Sequence, residues 1–131
     1  MINWKEEYRI GIKLIDEQHK KLFELANKAF DLLKDDFYID KYDDIIMILK
    51  ELKNYAIYHF KSEEDYMESI KYRKILSHKV EHDDFIQKIE EVDIDKIDEN
   101  QDKYILDLLE FIVNWIDKHI LGTDKLITAD L

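Results

Sequence analysis

Residues 45–67 read IIMILKELKNYAIYHFKSEEDYM. Ile45, Leu49, Leu52 and Ala56 recur at steps of three and four, the spacing that lines one face of a helix. The same steps lead next to His59 and Glu63, so the apolar face continues into an imidazole and a carboxylate. A helix of this kind hides its face against other helices and carries both polar groups into that shared interior.

Three further segments repeat the pattern. Residues 17–37 place His19, Leu22, Ala26, Ala29 and Leu33 on one seam, with Phe23, Leu25 and Phe30 alongside and Asp16 as the expected N-cap. Residues 41–66 form the second helix, behind a cap at Asp40, and a very short link around Ser69 leads onward. Residues 71–92 carry Ile75, His78, His82, Phe85, Ile89 and Val92. Residues 102–121 carry Ile105, Leu108, Ile112, Trp115 and His119, with Gly122 as the expected C-terminal stop. The acidic stretch 93–101 reads as a solvated loop. Residues before Asp16, among them Trp4, Tyr8 and Ile10, read as an arm packed over the bundle.

Composition agrees with helices. The chain has 131 residues, 46% of them hydrophobic, with no Pro and only two Gly. That is one domain's worth of core, lacking the punctuation that hairpins and sandwiches need. The expectation is an all-α fold: a single domain over residues 1–131, an up-down-up-down antiparallel four-helix bundle with an N-terminal arm.

A net charge of −11 repels phosphate backbones and anionic lipid, so neither nucleic acid nor membrane is an expected partner. No apolar run approaches the ~20 residues that span a bilayer, and residues 1–8, MINWKEEY, lack a signal-peptide core. The expected address is the cytoplasm. With no Cys, any chemistry falls to His, carboxylate, Tyr or backbone groups.

In an up-down-up-down bundle the start of the first helix, the end of the second, the start of the third and the end of the fourth share one end. His19, His59, His78, His82 and His119 fall there, and the chain has five His in all. A single seam histidine is ordinarily a buried ring hydrogen-bonded to a neighbour. Five converging rings with nothing to bind would strand acceptor nitrogens at a cost of about 1–3 kcal/mol each, and a metal removes that cost. His59 and Glu63, and His78 and His82, are i, i+4 pairs whose Cβ atoms stand about 5–6 Å apart on one face. Asp124 lies just beyond the fourth helix, at the same end. Five imidazoles exceed one tetrahedral zinc, and the added carboxylates point to two metals about 3.5–4 Å apart. Mixed nitrogen and oxygen donors favour iron over zinc, with manganese, copper and cobalt left open.

These residues, taken in order, resemble the hemerythrin family over nearly the whole chain. The matching pieces are Trp4-x-x-x-Tyr8-x-x-Gly11-Ile12, Ile15-Asp-Glu-Gln-His19, His59-Phe60-x-x-Glu63-Glu64-x-x-Met67, His78-x-x-x-His82 and Trp115-Ile-x-x-His119-Ile-x-x-x-Asp124. The chain departs from the family at Tyr72-Arg73, where many relatives have Tyr-Pro, and at Ile116, commonly Leu. The resemblance implies two non-haem iron ions bridged by an oxo or hydroxo group and two carboxylates. His78, His82 and His119 would hold one iron, His19 and His59 the other, with Glu63 and Asp124 bridging. It also implies an apolar oxygen pocket of Leu22, Phe60, Trp115, Ile116 and Ile120 around the iron that is one ligand short. Glu63→Ala is expected to lose the centre, and Glu64→Ala, one step around the helix, largely to keep it.

The implied function is reversible dioxygen binding for storage, transport or sensing, without enzymatic turnover. The alternative is a di-iron enzyme acting on peroxide or nitric oxide, or a ferroxidase. Dioxygen is the expected partner, with room for an unidentified redox or signalling protein.

Overall fold

With no proline to interrupt them, the periodic segments run as long helices. The computed structural model describes residues 4–34, 42–91 and 101–129. They form α1 (Lys13–Lys34), α2 (Tyr42–Ser69), α3 (Ile75–Glu90) and α4 (Gln101–His119), then a π-helical turn at Ile120–Asp124 and a short α5 (Lys125–Thr128). The fold is all-α, an up-down-up-down four-helix bundle in which α1 packs against α2 and α4, and α2 against α3. Ahead of α1 a 3-10 turn at Glu6–Tyr8 forms the arm.

The seams fold inward as their spacing dictates. Leu22, Ala26, Leu52, Ala56, Phe85, Ile89 and Ile112 are all buried, and each of the larger ones contributes on the order of 1.5–3 kcal/mol by leaving water. The arm is anchored by an aromatic cluster, with Tyr8 5.0 Å from Phe23 and Trp4 6.1 Å from it, ring centre to ring centre. The Tyr8 hydroxyl donates to Asp117 Oδ1 at 2.8 Å, and the Thr128 hydroxyl to the Ile10 carbonyl at 2.7 Å.

Helix ends depart from the sequence expectation in four places. First, α1 begins at Lys13, so Asp16 is inside the helix and is not its N-cap. Burial of Ile15 extends the apolar face back by one turn. The Asp16 carboxylate instead accepts from the backbone N–H groups of Ile10 (2.8 Å) and Gly11 (3.2 Å), tying down the entering chain where Gly11 takes φ 96°.

Second, α2 runs on to Ser69, beyond the expected end at Tyr66. Its end is a Schellman motif: Tyr72 N–H bonds to Met67 O (2.9 Å) and Lys71 N–H to Glu68 O (3.1 Å). Lys71 supplies the left-handed residue at φ 55°. Third, α3 therefore starts at Ile75 rather than Lys71, because a left-handed residue cannot begin a helix.

Fourth, Gly122 is not a C-terminal stop. Among the described residues only Gly11 and Lys71 have positive φ, and the chain passes through Gly122 in the π-helical turn before resuming α-helix at Lys125. The expected cap at Asp40, the end of the first helix at Phe37, Val92 and residues 93–100 of the acidic loop lie outside the described residues, as do the side chains of Leu33 and Ile45. Gln101 is already helical.

Candidate metal centre

The helices bring His19, His59, Glu63, His78, His82, His119 and Asp124 into one buried layer, none of them more than 4% exposed. His19 comes from the second turn of α1, His59 and Glu63 from successive turns of α2, and His78 and His82 from the first two turns of α3. His119 ends α4. Asp124 follows five residues later, which at about 100° per residue would leave it some 140° around an α-helix from His119. The π-helical turn widens the winding and removes that offset, so His119 Nε2 stands 3.0 Å from Asp124 Oδ1.

Each carboxylate divides its two oxygens between two groups of histidines. Glu63 Oε1 lies 2.6 Å from His78 Nε2 and 3.2 Å from His82 Nε2, while its Oε2 lies 3.0 Å from His59 Nε2 and 3.6 Å from His19 Nε2. Asp124 Oδ1 lies 2.9 Å from His78 Nε2, and its Oδ2 lies 3.1 Å from His19 Nε2. Two donor sets result, Glu63, His78, His82, His119 and Asp124 in one and His19, His59, Glu63 and Asp124 in the other, the donor atoms of each lying within 4.8 Å of one another. Two polar side chains shared by two sets are what a dinuclear site requires.

The outward ring nitrogens fix which nitrogen faces inward. His59 Nδ1–H donates to Gln18 Oε1 at 2.7 Å, and the Gln18 amide in turn donates to Ser62 Oγ at 3.1 Å. His82 Nδ1–H donates to Glu64 at 2.9 Å, and His119 Nδ1–H to Glu81 at 3.1 Å, where the Thr123 hydroxyl also donates at 3.0 Å. With one proton held on Nδ1, each of these rings turns its Nε2 into the centre, where it can hold a second proton or give its lone pair to a metal.

The inward nitrogens of His82 and His119 then face each other, with His78 Nε2, which bonds Glu63 Oε1 at 2.6 Å, beside them. His119 Nε2 is 3.2 Å from both His78 Nε2 and His82 Nε2. His19 Nε2, Glu63 Oε2 and both Asp124 oxygens are buried without a hydrogen bond, so the 3.1 Å approach of His19 to Asp124 is a close contact that lacks hydrogen-bond orientation. Acceptors crowded at such distances in a dry interior cost about 1–3 kcal/mol each unless a cation sits among them. The donor set fits two metal ions of intermediate hardness.

Electrostatics points the same way. Burial disfavours the imidazolium form of His19, His78 and His119, but Asp124 and Glu63 outweigh it and lift these rings to about 9, 9 and 10. At His59 burial prevails over Glu63 and the ring titrates below its ordinary value. Burial would raise Glu63, yet the surrounding rings of His119, His19, His59 and His78 hold it well below the usual carboxylate range. The layer attracts positive charge, as protons or as metal.

Of the expected pocket residues, Leu22, Phe60, Ile116 and Ile120 are buried in the main core cluster and Trp115 packs against it half-buried. Phe60 stacks on His82 at 4.0 Å and reaches His59 at 5.6 Å, and Trp115 stacks on His119 at 4.3 Å. The aromatic walls thus lie chiefly against the three-histidine set.

Gln18, Glu64, Glu81 and Thr123 were not singled out by their spacing, and Glu64 is no bystander, because it anchors His82. A signal was available: each immediately precedes or follows a seam residue, as in Gln18-His19, Glu63-Glu64, Glu81-His82 and Thr123-Asp124. One step along a helix turns a side chain about 100° toward the neighbouring helix. Hence Gln18 on α1 serves His59 on α2, Glu64 on α2 serves His82 on α3, and Glu81 on α3 serves His119 on α4.

The chain matches the family model of the hemerythrin HHE cation binding domain over residues 10–130. It is 54% identical over 125 residues to a bacteriohemerythrin of Clostridium acetobutylicum, covering 95% of this chain and 97% of that protein. It is 30% identical to a hemerythrin-like protein of Naegleria gruberi, covering 93% and 87%. A hemerythrin crystal structure superposes with a TM-score of 0.77 at 26% identity, over 98% of this chain and 95% of that one.

Proposed function

Because the chain belongs to the hemerythrin family, we propose that it binds dioxygen reversibly at two non-haem irons, as one domain over residues 1–131. His78, His82 and His119 would hold one iron and His19 and His59 the other, with Glu63 and Asp124 shared between them. Ferrous iron, when bound, supplies the electrons for reversible capture of dioxygen. The chain's own residues do the rest. Gln18, Glu64 and Glu81 keep the Nδ1 protons of His59, His82 and His119 and so keep Nε2 available. Leu22, Phe60, Trp115, Ile116 and Ile120 exclude water beside the layer, which discourages irreversible oxidation.

The observation that supports this most is the division of each carboxylate between two unequal histidine groups, five donors against four. The set one donor short leaves room for an external diatomic molecule. Inward donors that are mostly imidazole favour binding over turnover on peroxide or nitric oxide, and over ferroxidase activity. No helix among the described residues is long and apolar enough to cross a membrane.

The test is anaerobic reconstitution with ferrous iron, followed by admission and removal of air. A coloured adduct that forms and reverses, with two irons per chain, is the expected outcome. Irreversible oxidation with catalytic loss of peroxide or nitric oxide, or fewer than two irons in a fully loaded sample, would refute it.

A further inference from the structure

A cavity lies between α1, α2 and α4, away from the histidine layer. Its volume is about 20 Å³, and its inner wall is Leu25 and Ala26 of α1, Leu52 of α2, and Ile105, Leu109 and Ile112 of α4, all buried. Among the described residues every lining side chain but Tyr104 is aliphatic. A water needs roughly 10–15 Å³ and two to four polar partners, so the cavity has the room for one small molecule and not the hydrogen bonds to keep a water.

Its position is set by the sequence. Ala26, Leu52 and Ile112 each sit seven residues from a histidine of the layer, His19, His59 and His119 respectively. Seven residues at about 1.5 Å each place the near wall of the cavity about 10.5 Å below the metal donors, two turns down the same face on three helices. The intervening turn presents Leu22, Ala56 and Ile116, which belong to the same buried cluster as Leu25, Ala26, Leu52 and Ile112 of the cavity wall. The column between cavity and histidines is apolar throughout.

We infer that this cavity is a binding site for one non-polar gas molecule, holding a diatomic such as dioxygen more than two helical turns from the metal layer. The identity of dioxygen as its natural occupant rests on the proposed function; the gas site itself does not. Dry apolar cavities bind xenon and small hydrocarbons because such ligands sacrifice no hydrogen bonds on entering. A non-polar diatomic meets the same condition, and its reservoir would lie on the dry side of the centre.

Xenon is the probe, introduced under pressure into crystals of the iron-loaded and the metal-free protein and located by anomalous scattering. The expected result is a xenon peak between α1, α2 and α4 in both. Ala29→Leu, which fills the cavity from a half-buried lining position, loses the peak; Leu49→Ala, which enlarges it, raises the xenon occupancy. Absence of the peak in the unmodified protein overturns the inference, as does an undiminished peak in Ala29→Leu or unraised occupancy in Leu49→Ala. Oxygen reversibility measured on the same iron-loaded protein separates the two ideas, since a gas site can stand where reversible oxygenation fails, and the reverse.

Discussion

Replacing Gln18 by Ala is expected to weaken iron binding about 10–100-fold, or about 1.4–2.7 kcal/mol, while leaving the metal-free fold nearly as stable as before. Gln18 is 2% exposed and accepts the His59 Nδ1 proton at 2.7 Å. Without it, that N–H loses its partner in a site that water does not reach, at a cost of about 1–3 kcal/mol. The metal-free protein has an escape: His59 can move its proton to Nε2 and, with a small reorientation of the ring, donate to Glu63 Oε2, 3.0 Å away and otherwise without a hydrogen bond. Metal binding forbids the escape because it needs Nε2 bare, so the penalty falls on affinity and spares the fold. At Glu81, 43% exposed, water can replace the lost acceptor, and Glu81→Ala should sit at the lower end, nearer tenfold. Competition titration of ferrous iron against a chelator gives the affinities, and thermal melts of the metal-free proteins give the control. Unchanged affinity in Gln18→Ala, a greater loss in Glu81→Ala, or a melting loss as large as the affinity loss would refute the reasoning.

Glu63→Ala should abolish dinuclear loading, whereas Glu64→Ala should still take two irons per chain with affinity weakened about tenfold, since only the anchor of His82 is lost; elemental analysis after gel filtration distinguishes them. Lys71→Gly should raise stability by about 0.5–1 kcal/mol in urea melts, because Lys71 holds φ 55° at the end of α2, where glycine carries no Cβ penalty. In the metal-free protein His19, His78 and His119 titrate near 9, 9 and 10, above their unfolded value. Their stabilisation is therefore complete below about pH 6.5 and lost as pH rises through 9–10, and melting temperature should fall across that window. Iron loading near pH 7 should release protons, read by calorimetry in buffers of different ionisation enthalpy; loading without proton release would contradict the raised values.

The bundle and its polar layer were legible because both rest on periodicity. Leu52, Ala56, His59 and Glu63 had to share a face if α2 was a helix at all, and antiparallel packing then had to gather the histidines at one end. Asp124 was legible only as a nearby carboxylate. Its approach to His119 depends on a π-helical turn that looks, in sequence, like a helix ending at glycine. Asp16 misled for a related reason: a cap residue announces that a helix start is near, but cannot say whether it serves the N–H groups after it or, as here, those before it.

By itself, then, the sequence determined the helices, their buried faces and the gathering of five imidazoles with a carboxylate, because a 3.6-residue repeat translates position directly into direction. Only the tertiary structure decided which oxygen of Glu63 and Asp124 meets which histidine, which outward proton each of Gln18, Glu64 and Glu81 holds, and where the core leaves a void. Those depend on distances between helices, fixed by packing of side chains far apart in the chain, and no local repeat encodes them.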